Sequence, residues 1–214
     1  IFLPERPASI KIFVLLYSKY SQLPDEPLAS EQNFIIPPSI DYNTVEITSQ
    51  FGKILIGDNM REGIGVFDSG IGGISVLKKL LQTLPREKYF YYGDERHMPY
   101  GEKSPEDIVK YTSEAFRYFD KKNVKIGVIA CNTASTYALN YLKEHFDFPI
   151  FGMIDAGVEG VLNVCEKKVA IFATSGTINS KAYENAIKAR DKNLEVINVA
   201  CVGLASAVQN QDMD

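Results

Sequence analysis

Ala130-Cys131-Asn132-Thr133-Ala134-Ser135 places a thiol where an apolar strand runs out and a helix begins. Free main-chain amides at a helix start favour a thiolate, so this setting predicts a lowered thiol pKa and a cysteine able to act as base or nucleophile. A cysteine in a strand-to-helix turn is also a common packing residue, so the chemistry needs partners. Asp68-Ser69-Gly70 supplies one, since a carboxylate beside a thiol can hold it in place or exchange its proton. A charged carboxylate alone raises a thiol pKa, and activation of Cys131 therefore requires helix amides and hydrogen bonds that outweigh Asp68. The other role open to Asp68 and Ser69 is to cap the glycine turn that follows them.

Two further features border this chemistry. Asp68 to Gly73 carries glycines that permit close backbone approach ahead of helix amides that favour an anion. Its spacing is not GxGxxG, and an acid at its start would repel a pyrophosphate, so no dinucleotide site is expected. In Gly93-Asp94-Glu95-Arg96-His97-Met98-Pro99-Tyr100-Gly101, Pro99 and Gly101 fix the loop's shape, and Tyr100 offers a hydroxyl to a small polar ligand. His97 can pair with Asp94, but no second signature supports a Cys–His hydrolase dyad. Cys165 and Cys201 read as packing residues, and His145 as solvated.

The elements that must position these loops follow from hydrophobic periodicity. Strands are expected at 63–68, 89–92, 124–130, 149–154, 169–173 and 196–200. Helices are expected through Ile74, Leu77, Leu81 and Leu84, from Pro105 behind an Ser104 N-cap, through Ala138, Leu139 and Leu142, and over 156–165 and 180–189. Strand and helix alternate, which predicts an α/β fold of parallel sheets with helices on both faces. In such folds ligands sit beyond the carboxyl ends of the strands, where all the loops above fall.

Composition bounds the rest. The 214 residues are 45% hydrophobic, enough for one full core and part of a second. A formal charge of −4 shows no basic footprint, so nucleic acid is not expected as a primary partner. Three widely spaced cysteines without CxxC or histidine pairing suggest neither a disulfide framework nor a metal site, and fit a reducing cytoplasm. The apolar run from Ile10 to Tyr17 is too short to cross a bilayer, so no membrane segment is expected. Six of the ten prolines lie within the first 38 residues, whereas the first of fifteen glycines is Gly52. Residues 1–60 therefore read as an irregular Pro-rich leader, 61–152 as a first α/β lobe and 153–214 as a partial second one.

Taken together, Gly65 to Gly73, Tyr92-Gly93-Asp94 with Pro99-Tyr100-Gly101, and Ala130 to Ser135 resemble the glutamate racemases of the aspartate/glutamate racemase family. The resemblance runs from about Gly63 to Ala200 and includes Ala173-Thr174-Ser175-Gly176-Thr177 with Ser180 and Tyr183. It implies a cofactor-independent racemase of two lobes that holds glutamate between them, with thiols on opposite faces of the α-carbon. By the same resemblance Cys131 is one acid/base and Asp68 its neighbouring carboxylate and substrate contact. Ser69, Tyr100, Gly101, Asn132 and Thr133 become substrate ligands. A cytoplasmic enzyme that supplies D-glutamate for peptidoglycan follows, with a homodimer as its assembly.

The sequence also departs from that pattern. The family's second cysteine lies in a Gly-Cys-Thr-His stretch that is not present here, and Ala200-Cys201-Val202-Gly203 differs from the usual Ala-Cys-Pro. The chain is thus expected to be truncated and to lack racemase activity alone. An aspartate racemase-like enzyme and a noncatalytic fragment are the competing readings.

Overall fold

The computed structural model describes residues 61–210 and three short strands before them, β1 (Lys11–Val14), β2 (Glu46–Ser49) and β3 (Gly52–Leu55). The rest of the expected leader lies outside the described residues. β2 and β3 pair antiparallel with each other.

Near-continuous apolar runs suit the next strands to a sheet covered on both faces. β4 (Ile64–Asp68), β5 (Tyr89–Gly93), β6 (Ile126–Ile129) and β7 (Ile150–Phe151) form a four-stranded sheet in the order β5-β4-β6-β7, every pair parallel. β4 and β6 are buried along their whole length. One face carries α1 (Gly73–Thr83), whose Val76, Leu77, Leu80 and Leu81 lie on Ile64, Val66 and Val128. The other carries α2 (Pro105–Lys121) and α3 (Asn132–His145), which bring Phe116, Phe119, Ala138 and Leu142 against Phe67 and Ile129. Ser104 caps α2 as its type and position require, its side chain accepting from Asp107 N at 3.1 Å. Gly65 and Gly127 are glycines because rings sit on them: a Cβ at either would lie 2.6 Å from Phe119 or Phe116.

The second sheet has the order β1-β8-β9, with β8 (Lys168–Ala173) and β9 (Glu195–Ala200), again parallel. α4 (Met153–Val164) and α6 (Ala182–Arg190) enclose a smaller aliphatic core of Val158, Val161, Val169, Ile171, Ile187 and Leu194. The helix expected over 180–189 is α6; a further short helix that was not expected, α5 (Ser175–Asn179), capped by Thr174, precedes it and is separated from it by Lys181 at φ 56. Thr174 accepting from Thr177 N starts α5 early, and the left-handed Lys181 ends continuity. α7 (Leu204–Asn210) follows β9, where no apolar periodicity announced a helix. The parallel α/β expectation holds. Among the described residues no helix is long and apolar enough to cross a membrane.

Candidate active site

β4 and β6 are neighbours in register, Phe67 opposite Ile129, so the residues that leave their carboxyl ends emerge side by side. Ala130 N donates to Phe67 O at 2.7 Å, which brings Asp68 and Cys131 to the same edge. The loop after β5 closes over them, tied down by Asp94 N donating to Asp68 O at 2.9 Å. All seven residues singled out in the sequence, Asp68, Ser69, Tyr100, Gly101, Cys131, Asn132 and Thr133, line one cavity. The empty space there, open mouth included, is about 690 Å³.

Cys131 is the N-cap of α3: its Sγ accepts from Ala134 N at 3.4 Å and lies 3.3 Å from Ser69 Oγ. The expected lowering of its pKa is not what the structure gives. Burial first, and the Asp68 charge second, push the thiol up to about 11, while the Ser69 hydroxyl and the amides of Ala134 and Ser69 pull the other way without prevailing. The thiol is neutral at physiological pH. Asp68 is fully buried, and that burial raises its pKa against the opposing pull of the amides of Gly73, Gly70, Ser69 and Gly72. Gly70 N donates to its Oδ2 at 3.1 Å, while Oδ1 has no hydrogen-bond partner. The amides of the glycine loop are therefore turned toward a side chain of the same loop.

Tyr100 is positioned differently from the expectation that its hydroxyl faces a ligand. That hydroxyl donates to Asp94 Oδ2 at 2.7 Å, and both Asp94 oxygens lie 2.9 Å from His97 Nδ1, so the foreseen Asp94–His97 pair has a third member. Tyr100 and Gly101 reach the cavity as part of the loop wall.

The opposite wall comes from the second sheet, from the Thr174 to Thr177 segment that the family resemblance included without assigning its side chains a role. Thr133 Oγ1 lies 2.8 Å from Thr174 Oγ1 and 3.2 Å from Thr177 Oγ1. Tyr183 OH donates to Asn132 Oδ1 at 2.6 Å, and Tyr137 OH to Gly176 O at 2.9 Å. The readable signal was a Thr-x-x-Thr at the end of a strand, an N-cap pattern beside the carboxyl edge. Cys165 is buried in the second core. Cys201 borders a smaller adjoining space with Glu102 and Ser175. No three His, Cys, Asp or Glu side chains among the described residues are placed to hold a metal ion.

The chain resembles known proteins over most of its described length. The Asp/Glu/hydantoin racemase family matches residues 64–213. A glutamate racemase of Fusobacterium nucleatum is 43% identical over 148 residues, which are 68% of this chain and 56% of that protein. Glutamate racemase 3 of Caldanaerobacter subterraneus is 43% identical over 155 residues, 72% of this chain and 56% of that protein. Among solved structures, a glutamate racemase isoform from Bacillus anthracis superposes with a TM-score of 0.68 at 36% identity, covering 70% of this chain and 57% of its own. The Francisella tularensis glutamate racemase in complex with D-glutamate gives 0.67 at 37% identity, covering 72% and 58%. The chain spans just over half the length of these relatives. With the family matched over residues 64–213, the chain belongs to the Asp/Glu/hydantoin racemase family.

Proposed function

We propose that the cavity binds glutamate and that Cys131 exchanges its α-proton. The observation that carries this reading is the placement of a buried thiol against Asp68 and Ser69 within one cavity walled by hydroxyl and amide groups. The relatives named glutamate racemase, one of them solved with D-glutamate, support glutamate over other acids.

The α-proton of an amino acid is a very weak acid, so its removal needs a strong base and donors for the charge that develops on the carboxylate. A thiol held near 11 gives a basic thiolate, but one that must first be formed. The α-ammonium of a bound amino acid, seated beside Asp68, supplies the positive charge that offsets the carboxylate and lowers the cost of ionising Cys131. Ser69, Asn132 and Thr133 then hold the substrate carboxylate, and Gly101 closes the wall above it.

Racemisation also requires a proton on the opposite face. Among the described residues Cys131 is the cysteine that lines this cavity. Cys131 serves one face of the α-carbon, and exchange of the α-proton of one enantiomer is the step assigned to it. Residues 61–152 act as one lobe and 153–214 contribute to the other, whose sheet also takes in β1. The wider role in this reading is D-glutamate supply for peptidoglycan in the cytoplasm, by a homodimer.

The test is α-proton exchange in deuterated water, followed by NMR, with L- and D-glutamate and both aspartates offered separately to the chain and to Cys131→Ser. Exchange from one glutamate enantiomer, lost in the variant, is expected. Faster exchange from an aspartate moves the substrate assignment to that acid. Absence of exchange from all four sinks the catalytic reading and leaves a noncatalytic fragment.

A further inference from the structure

Asp94 takes no part in the chemistry above, yet it is 6% exposed and carries bonds on both oxygens. Its main chain is fixed to the end of β4 through Asp68 O. Its Oδ2 accepts the Tyr100 hydroxyl at 2.7 Å, and His97 Nδ1 lies 2.9 Å from each oxygen. His97 is itself held, stacked on Tyr111 with 3.9 Å between ring centroids and 6° between planes. Tyr100 is 2% exposed and its ring lies 6.0 Å from that of Phe67. The next residue, Gly101, meets the second sheet so closely that a Cβ there would lie 2.6 Å from Thr174 Cβ. A continuous path thus runs from the end of β4 through Asp94 and Tyr100 to the contact between loop and Thr174.

We propose that Asp94 is a positioning residue for the glutamate site: through Tyr100 it fixes the 98–101 loop that forms one cavity wall and meets Thr174. The proposal rests on the glutamate reading of that cavity. A carboxylate accepting a buried phenol makes a charge-assisted bond, stronger than a neutral one. Burial, with Asp94 after it, holds the Tyr100 phenol far above its ordinary range, so it stays a donor throughout physiological pH. A wall held this way is ordered before a ligand arrives, which spares the ligand the ordering entropy.

The test compares the parent chain with Asp94→Ala, Tyr100→Phe, their double variant and Asp94→Asn. Affinities for L- and D-glutamate are read by NMR titration, and alkylation of Cys131 by iodoacetamide is followed by peptide mass spectrometry, with thermal midpoints alongside. Asp94→Ala and Tyr100→Phe each weaken glutamate binding about tenfold, and the double variant binds no more weakly than the worse single one, since both remove one link. Asp94→Asn stays within about twofold of the parent, because its carbonyl still accepts from Tyr100. Cys131 alkylates several-fold faster in the first three variants, as the loosened loop uncovers it. Additive losses, or parent-like affinity in a folded Tyr100→Phe, overturn the proposal. If the parent binds neither enantiomer, the glutamate reading fails and the alkylation series decides: equal rates across the folded variants overturn positioning by Asp94.

Discussion

The two walls of the cavity are built from different materials. The first-sheet wall stands on β4 and β6, both buried throughout and backed by Phe67, Phe116 and Phe119, and it holds the ionisable pair Asp68 and Cys131. The second-sheet wall stands on β8 and a smaller aliphatic core, beside the less buried β9, and it holds neutral hydroxyls on Thr174 and Thr177, while the Tyr183 hydroxyl bonds Asn132. Charge is expensive to bury and its cost is worth bearing only where it does chemistry, so it sits where the scaffold is most constrained. Neutral hydroxyls can rotate to serve Thr133 and Asn132 or a ligand in turn, which suits the wall that must meet the other across a gap.

If that contrast is right, the largest effects belong to the first wall. The folded state prefers the neutral Cys131 thiol, raised from the ordinary value of 9.0 to about 11. Below pH 9 both folded and unfolded chains keep the proton and nothing is lost; as pH rises toward 11 the unfolded chain ionises first and stability falls by about 2–3 kcal/mol. Urea unfolding across this range should show the decline, and Cys131→Ser should remove that component. Asp68→Asn should shift the alkylation midpoint of Cys131 downward by removing the second cause, while burial remains. An unmoved midpoint would show that the two groups are not coupled.

Next come the glycines under the rings. Gly65→Ala and Gly127→Ala each drive a Cβ to 2.6 Å from a phenylalanine ring in a closed core, with an expected loss of about 1–3 kcal/mol in urea unfolding. The second-sheet counterpart is Gly157→Ala in α4, where the Cβ comes 2.7 Å from Tyr183. There helix propensity returns about 1 kcal/mol, so the net loss should be smaller and the clearer signal a Tyr183 displaced from Asn132 and weaker glutamate binding. Equal losses on both sides would erase the contrast in packing.

Smaller still, Thr177→Val removes one hydroxyl from the threonine cluster and leaves the 2.8 Å Thr133–Thr174 bond in place, for about 1 kcal/mol by thermal unfolding. At the bottom of the scale, Arg190→Ala cuts exposed pairs to Glu159 and Asp155 on the outside of the second lobe and should change stability by less than about 0.5 kcal/mol. A large effect there would place essential structure on the surface rather than at the cavity.

The order of strands and helices was legible in the chain because it rests on local signals. Ile64, Val66 and Phe67 form a buried run, Ser104-Pro105 is a helix start, and the turn through Gly70 and Gly72 precedes α1. Such signals also place Asp68, Tyr100 and Cys131 in loops at carboxyl ends. α5 and α7 went unseen because five and seven residues carry too little periodicity to register.

Sequence by itself thus determined the α/β class and which loops carry the chemistry, since hydrophobic period and turn residues act over a few neighbours. Tertiary structure alone decided what those loops do to one another. Only the β4–β6 pairing sets Asp68 beside Cys131, and burial, a property of the whole fold, turns an expected lowering of the thiol pKa into a rise to about 11. The Tyr100 hydroxyl was free to face a ligand until packing gave it to Asp94, and Thr133 met Thr174 and Thr177 only when the two sheets came together. Proton affinity and hydrogen-bond partnership depend on solvent exclusion and on groups 41 and 44 residues apart, which no local pattern encodes.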